Sequence, residues 1–155
     1  MIQRIQSIYL LLTTIMSVLF LKGSFLRFIN NAGSELAIDF MGINQMNNEK
    51  GFELVEQMIP LTVIFILIPL ISFLAIFLFK KRRLQLRITL IVIILALLLI
   101  MIVVYYVISV IHKYQVILSP GIKMFLLPLI LLFALLAYRS IRKDENLVKS
   151  YDRIR

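Results

Sequence analysis

The run ITLIVIILALLLIMIVVYYVISVI, Ile88 to Ile111, decides the fold. It follows Arg87, contains no charge, glycine or proline, and stops before His112 and Lys113. A hydrocarbon core about 30 Å thick takes roughly 20 apolar residues of helix, so this run is long enough to cross a bilayer once. Lipid offers the backbone no hydrogen-bond partner, which requires a helix or a closed barrel. Barrel strands read as alternating segments of about ten residues, whereas this run is apolar all round. A helix is the expected form.

Outward from it lie three similar runs. Ile5 to Leu21 sits between Arg4 and Lys22, and Met58 to Phe79 ends at Lys80-Lys81-Arg82-Arg83. In the fourth, Ser119-Pro120 reads as an N-cap followed by proline at the first helical position. That helix is expected over 120–139, with Lys123 in its first turn reaching towards the headgroups. The first run has a basic residue before it, as a signal peptide does. No small-x-small cleavage pattern follows in Leu21-Lys22-Gly23-Ser24-Phe25-Leu26, so the span is expected to be retained. The fold class is therefore an all-α integral membrane protein with four transmembrane helices. One domain is expected over 1–155, with spans at about 5–21, 58–79, 88–111 and 120–139, a loop over 22–57 and a tail over 140–155.

Composition agrees. Of 155 residues, 61% are hydrophobic and 16% charged, against about 45–50% and about 25% in soluble domains. A single soluble core of this size has no room for the excess, which is left to face lipid. The same composition excludes disorder and collagen-like repeats. The absence of cysteine excludes disulfide scaffolds, Cys-ligated metals and thiol chemistry.

Charge gives the orientation. With four spans, one side of the membrane holds twelve basic residues, among them Arg4, Lys80 to Arg83, Arg87, Arg139, Arg142 and Lys143, and three acidic ones, net +9. The other side holds five basic and five acidic residues, net zero. The positive-inside rule then puts both termini and the loop between the second and third spans in the cytoplasm. An overall charge of +9 would also suit nucleic acid, but these cations flank the spans and contact anionic lipid instead. No basic platform interleaved with aromatics is present, and no nucleic-acid partner is expected.

The loop over 22–57 is long for a passive connection and is read as a small folded cap or a docking surface. Turn residues cluster at Asn30 to Gly33, Gly42, Asn44, Asn47-Asn48 and Gly51. Partial alternation over Ser34 to Phe40 suggests a short strand or hairpin. From Gly51, the apolar Phe52, Leu54, Val55, Met58 and Ile59 with Glu53 and Glu56 read as an amphipathic helical turn or two entering the second span. The tail lacks Gly and Pro, has Glu145 four residues before Lys149, and spaces Leu147, Tyr151 and Ile154 as one helical stripe. The fourth helix is expected to continue through it, with the stripe on the membrane surface or against a partner.

Ionisable groups at membrane depth point to transport or catalysis, and the four spans contain none apart from Lys123 at an end. Thr13, Thr14, Ser17, Thr62, Ser72, Thr89 and Ser109 are expected to bond their own helix four residues back, or weakly a neighbouring helix. His112 stands alone beside Lys113 and makes no metal or catalytic site by itself. No phosphate loop or nucleophile motif is found. No catalytic, cofactor or metal residue is assigned. Pro60, Pro69 and Pro128 are expected to kink their helices, and with no GxxxG face the packing is expected to rest on Leu and Ile.

Three segments carry a family resemblance: MIQRIQSIYL (1–10), FKKRRLQLR (79–87), and IRKDENLVKS (141–150) with DRIR (152–155). Together they resemble the domain-of-unknown-function 4293 family, small four-span inner-membrane proteins of Bacteroidota. The resemblance implies the topology and supplies no catalytic residue. It directs attention to the cytoplasmic face, where the three segments meet. The function expected is that of a non-catalytic accessory or scaffolding subunit of an inner-membrane complex. Its partners would be anionic lipid and an integral membrane protein. Arg82, Arg83, Gln85 and Arg87 of the loop are expected to face Arg142, Lys143, Asp144 and Glu145 of the tail, with Leu147, Tyr151 and Ile154 as its apolar stripe. The competing expectation is a small transporter or lipid-handling protein that hinges at its prolines.

Overall fold

A computed structural model describes residues 3–29, 35–47 and 51–153. Helices dominate: α1 (Gln3–Phe20), α2 (Ile59–Phe77), α3 (Arg82–Tyr114) and α4 (Leu126–Arg153). Three helical segments, Ile59–Phe77, Arg82–Tyr114 and Ile122–Leu147, are long and apolar enough to cross a membrane. Only 33%, 28% and 28% of their most apolar windows are buried inside the protein. The remaining apolar surface faces outward, as lipid-facing helices require. The apolar part of α1, Ile5–Phe20, is shorter. Each helix packs on its neighbours in sequence, and α1 closes the ring against α4.

Small and hydroxylated side chains line the helix contacts. Ala75, Ala96, Ala134 and Ala137 are fully buried, as are Thr13, Ser17, Ser72 and Thr89. Small side chains let backbones approach where no hydrophobic force drives helices together. The expectation of packing by Leu and Ile alone is thus corrected: the small residues are present as Ala, Ser and Thr, with buried Thr13 and Ser17 at the small-xxx-small spacing of α1. Five of the hydroxyls bond their own helix as expected, and Thr62 also donates to the Phe40 carbonyl at 2.6 Å. Thr13, Thr14, Ser17, Thr62 and Thr89 each donate to the carbonyl four residues back. Ser72 instead crosses helices, donating to the Leu10 carbonyl at 3.1 Å and lying 2.7 Å from the Thr14 hydroxyl. Such interhelical bonds contribute about 0.6–2 kcal/mol in lipid.

The prolines are placed more gently than expected. Pro60 is at the start of α2 and Pro128 in the first turn of α4, where the missing N–H has no intrahelical role. Pro69 alone of the three lies in a helix interior, buried within α2.

The all-α expectation fails at the far end of the bundle, which carries a five-stranded antiparallel sheet of order β4-β3-β2-β1-β5. Its strands are β1 (Leu26–Ile29), β2 (Glu35–Ile38), β3 (Gly42–Asn47), β4 (Gly51–Gln57) and β5 (Ile117–Pro120). The expected strand or hairpin near 34–40 is present as β2, while Asn30 to Gly33 and Asn48 lie outside the described residues. The segment after Gly51 is a strand, not a helical turn, because β3 takes it up as a partner. Because this segment is strand β4, the helical face expected to hold Glu53 and Glu56 together does not form. Ser119-Pro120 is likewise no helix start. Gln115 closes α3 with φ 48°, β5 pairs with β1 from Leu26↔Pro120 to Ile29↔Ile117, and a 3₁₀ turn over Ile122–Phe125 leads into α4 at Leu126. Pro120 is tolerated because β5 is an edge strand.

Sheet and bundle share one core. Phe20 at the end of α1 lies with its ring centre 4.8 Å from those of both Phe25 and Phe65, the latter in α2. Leu26, Phe28, Ile38 and Ile43 continue that core from the strands. Gly42 is required where β3 begins: its φ is +154°, and a Cβ there would lie 2.0 Å from the Glu56 carbonyl oxygen. Gly42→Ala is therefore expected to break the β3–β4 pairing while the helices persist. Protease cleavage within 42–57 at unchanged helical circular dichroism reads this out, and unaltered protease resistance would contradict it.

Candidate functional site

The basic end of the bundle gathers the start of α1, the α2–α3 junction and the last turns of α4. Asp144, 5% exposed, is held there by Gln6, 4% exposed, whose side-chain amide donates to the Asp144 carboxylate. Arg82 donates to the backbone carbonyl of Asp144 at 3.4 Å. Arg83 Nε lies 3.5 Å from the Glu145 carboxylate, an ion pair whose Arg side chain is 82% exposed. The expected convergence of loop and tail is thus realised for Arg82, Arg83, Asp144 and Glu145. Arg87, Arg142 and Lys143 are exposed at the same end.

Gln85 differs from its neighbours. It is 1% exposed, turned into the bundle, and its amide donates to the Ala75 carbonyl at 3.0 Å. It ties α3 to the end of α2, while its own Oε1 has no hydrogen-bond partner among the described residues. In the tail, α4 stays helical to Arg153, as expected. Leu147 is 42% exposed. Ile154 and the side chain of Tyr151 lie outside the described residues.

Gln6 is the residue that sequence reasoning missed. A glutamine one turn into an apolar helix signals a polar partner at that depth, but which partner depends on how α1 meets α4. Both acidic side chains nearest the α3 junction are engaged, Asp144 inward and Glu145 with Arg83. The outward surface left is dominated by arginine and lysine. Between α3 and α4 it contains a cleft of about 330 Å³ lined by Arg83, Leu86, Arg87, Leu90, Tyr138 and Glu145.

The sheet end is nearly neutral and differently built. Lys113 at the end of α3 donates to Glu56 of β4 at 2.7 Å, and the Lys123 ammonium donates to the Lys22 carbonyl beside Gly23. Lys123 therefore fastens the two loops together instead of extending to headgroups. His112 is exposed beside Lys113. Asp39, in the β2–β3 turn, accepts from Asn44 at 2.8 Å. Burial pushes its carboxyl above the usual range, against the opposing pull of the Asn44 hydrogen bond and the Lys123 charge. Among the described residues, no three His, Asp or Glu side chains converge as a metal set would.

Two outcomes follow. Asp144→Ala strands the buried Gln6 amide and is expected to cost about 1–3 kcal/mol, whereas Glu145→Gln should change stability by less than about 1 kcal/mol because its arginine partner is largely exposed. Melting in mild detergent compares them, and equal effects would refute the distinction. At the sheet end, folding raises the affinity of Asp39 for its proton. The sheet is then most stable below the carboxylate pKa of the unfolded chain, about 4, and loses that increment as pH rises through Asp39's higher folded value. Amide exchange of β2 and β3 across this range should show the trend, and Asp39→Asn should abolish it.

Comparison with curated proteins and with solved structures gives no match. The family described as Domain of unknown function (DUF4293) matches over residues 2–154, nearly the whole chain, including every segment of the basic end just described. The protein belongs to that family.

Proposed function

We propose that this protein is a non-catalytic accessory or scaffolding subunit of a larger complex in the inner membrane of a Bacteroidota-type bacterium. In this reading α1 to α4 are four spans, both termini are cytoplasmic, and the sheet lies on the opposite side. The observation that supports it best is the bracing of the basic end. Gln6–Asp144, Arg82–Asp144 and Arg83–Glu145 hold the loop and the tail in one fixed arrangement. Long cationic side chains on separate, mobile segments would lose entropy on docking; here much of that ordering is already built into the monomer. The sheet adds a second ordered surface, with β4 and β5 as its edges. Open edges accept a further strand from a partner.

The subunit reading makes a specific demand on purification. In mild detergent the tagged protein should carry a stoichiometric integral membrane partner. Arg82→Glu with Arg83→Glu should remove that partner while expression, C-terminal reporter location and helical content stay unchanged. Recovery of the same complex from the charge-reversed protein, or of an isolated monomer from the native one, would overturn the proposal.

A further inference from the structure

The cleft between α3 and α4 has a chemical gradient along the helix axes. Arg83, Arg87 and Leu90 are spaced i, i+4, i+7 on α3, with Leu86 one turn before Leu90, so all four share one stripe. On α4, Tyr138 and Glu145 are two turns apart, and exposed Arg142 lies on the same face between them. The mouth at Arg83 and Glu145 is charged. The inner end at Leu90 and Tyr138 is apolar apart from the phenol, and Leu90, 42% exposed, joins it to the outward apolar surface of the bundle. From Arg83 to Leu90 the rise is about 10 Å, comparable to a headgroup layer of about 6 Å plus the first carbons of a chain.

We propose that this cleft binds one anionic phospholipid of the surrounding leaflet, its phosphate on Arg83 and Arg87 and the start of an acyl chain along Leu86 and Leu90. The proposal rests on the reading of the basic end as a membrane edge, and not on the existence of a protein partner. Guanidinium groups recognise phosphate oxygens by paired hydrogen bonds. Glu145 takes Arg83 through Nε and leaves most of that side chain open, which orients the guanidinium without covering it. Two arginines against one glutamate line the cleft, so its net charge favours an anion. A volume of about 330 Å³ is at the small end for a ligand pocket: it suits a headgroup and not a whole lipid. A free soluble anion would use the arginines alone, leaving the leucine-lined half of the cleft without a role.

The full-length protein in mild detergent, titrated with dioleoyl phosphatidylglycerol or dioleoyl phosphatidylcholine and followed by native mass spectrometry, tests this. One phosphatidylglycerol should be retained about tenfold more tightly than phosphatidylcholine. Arg83→Gln with Arg87→Gln should erase that preference, as expected when two cations near the surface each contribute attraction to an anionic headgroup. The double Lys variant should keep only part of it, since an ammonium retains the charge without the paired hydrogen bonds. If the double Gln variant does not fold, the exposed Arg87→Gln alone should weaken the preference severalfold. Equal retention of both lipids overturns the proposal, as does a preference unchanged in the Gln variants. Displacement of the lipid by millimolar inorganic phosphate would also overturn it, in favour of a soluble-anion site. Loss of the co-purifying subunit at intact lipid preference would defeat the subunit reading and leave this one standing.

Discussion

The organising constraint in this molecule is an apolar helical surface that its own core does not cover. Roughly a third or less of each long apolar window is buried, and side chains such as Phe73, Phe77, Leu97, Met101 and Val104 point outward. In water that surface would cost about 25 cal/mol per Å², far beyond what a chain of this size recovers elsewhere. In lipid it costs nothing. The hydrophobic effect then no longer distinguishes the inside of the bundle from its outside, and other forces must choose which faces meet.

What chooses them is steric fit and a few polar contacts. Ala75, Ala96, Ala134 and Ala137 permit close approach, and Ser72 bonds across from α2 to α1. At the basic end the choice is made by buried polar side chains. Gln6 and Asp144 need each other, since either left alone would be a desolvated polar group. Gln85 similarly pins α3 to α2. At the other end the Phe20–Phe25–Phe65 cluster joins helix to sheet. Each end of the bundle is therefore closed by its own device, one polar and one aromatic.

This arrangement gives the ends different capacities. The sheet end is nearly balanced in charge, with its two loops fastened by Lys123 and by Lys113–Glu56. The basic end turns both neighbouring acids to structural use and shows its cations outward. Docking and lipid contact are proposed there because charge, order and a mixed polar and apolar cleft coincide at that end.

Local sequence was sufficient for whatever depends on a single segment. The apolar runs, their helical form, the helical tail and the sharing of one end by the basic residues follow from composition and spacing, because each helix satisfies its backbone alone. Pairing of Arg83 with Glu145 was legible to the same extent, as opposite charges on two segments expected to meet. Of the sheet only β2 was legible, because strands of four residues such as β1 and β5 are too short to show a period. β5 reaches β1 from a loop some ninety residues later. The inward turn of Gln6 and Gln85 was not legible, since it depends on which helix faces which. Hydrogen bonds between distant strands and contacts between helices are decided only when the whole chain has closed, and there the tertiary structure had the final word.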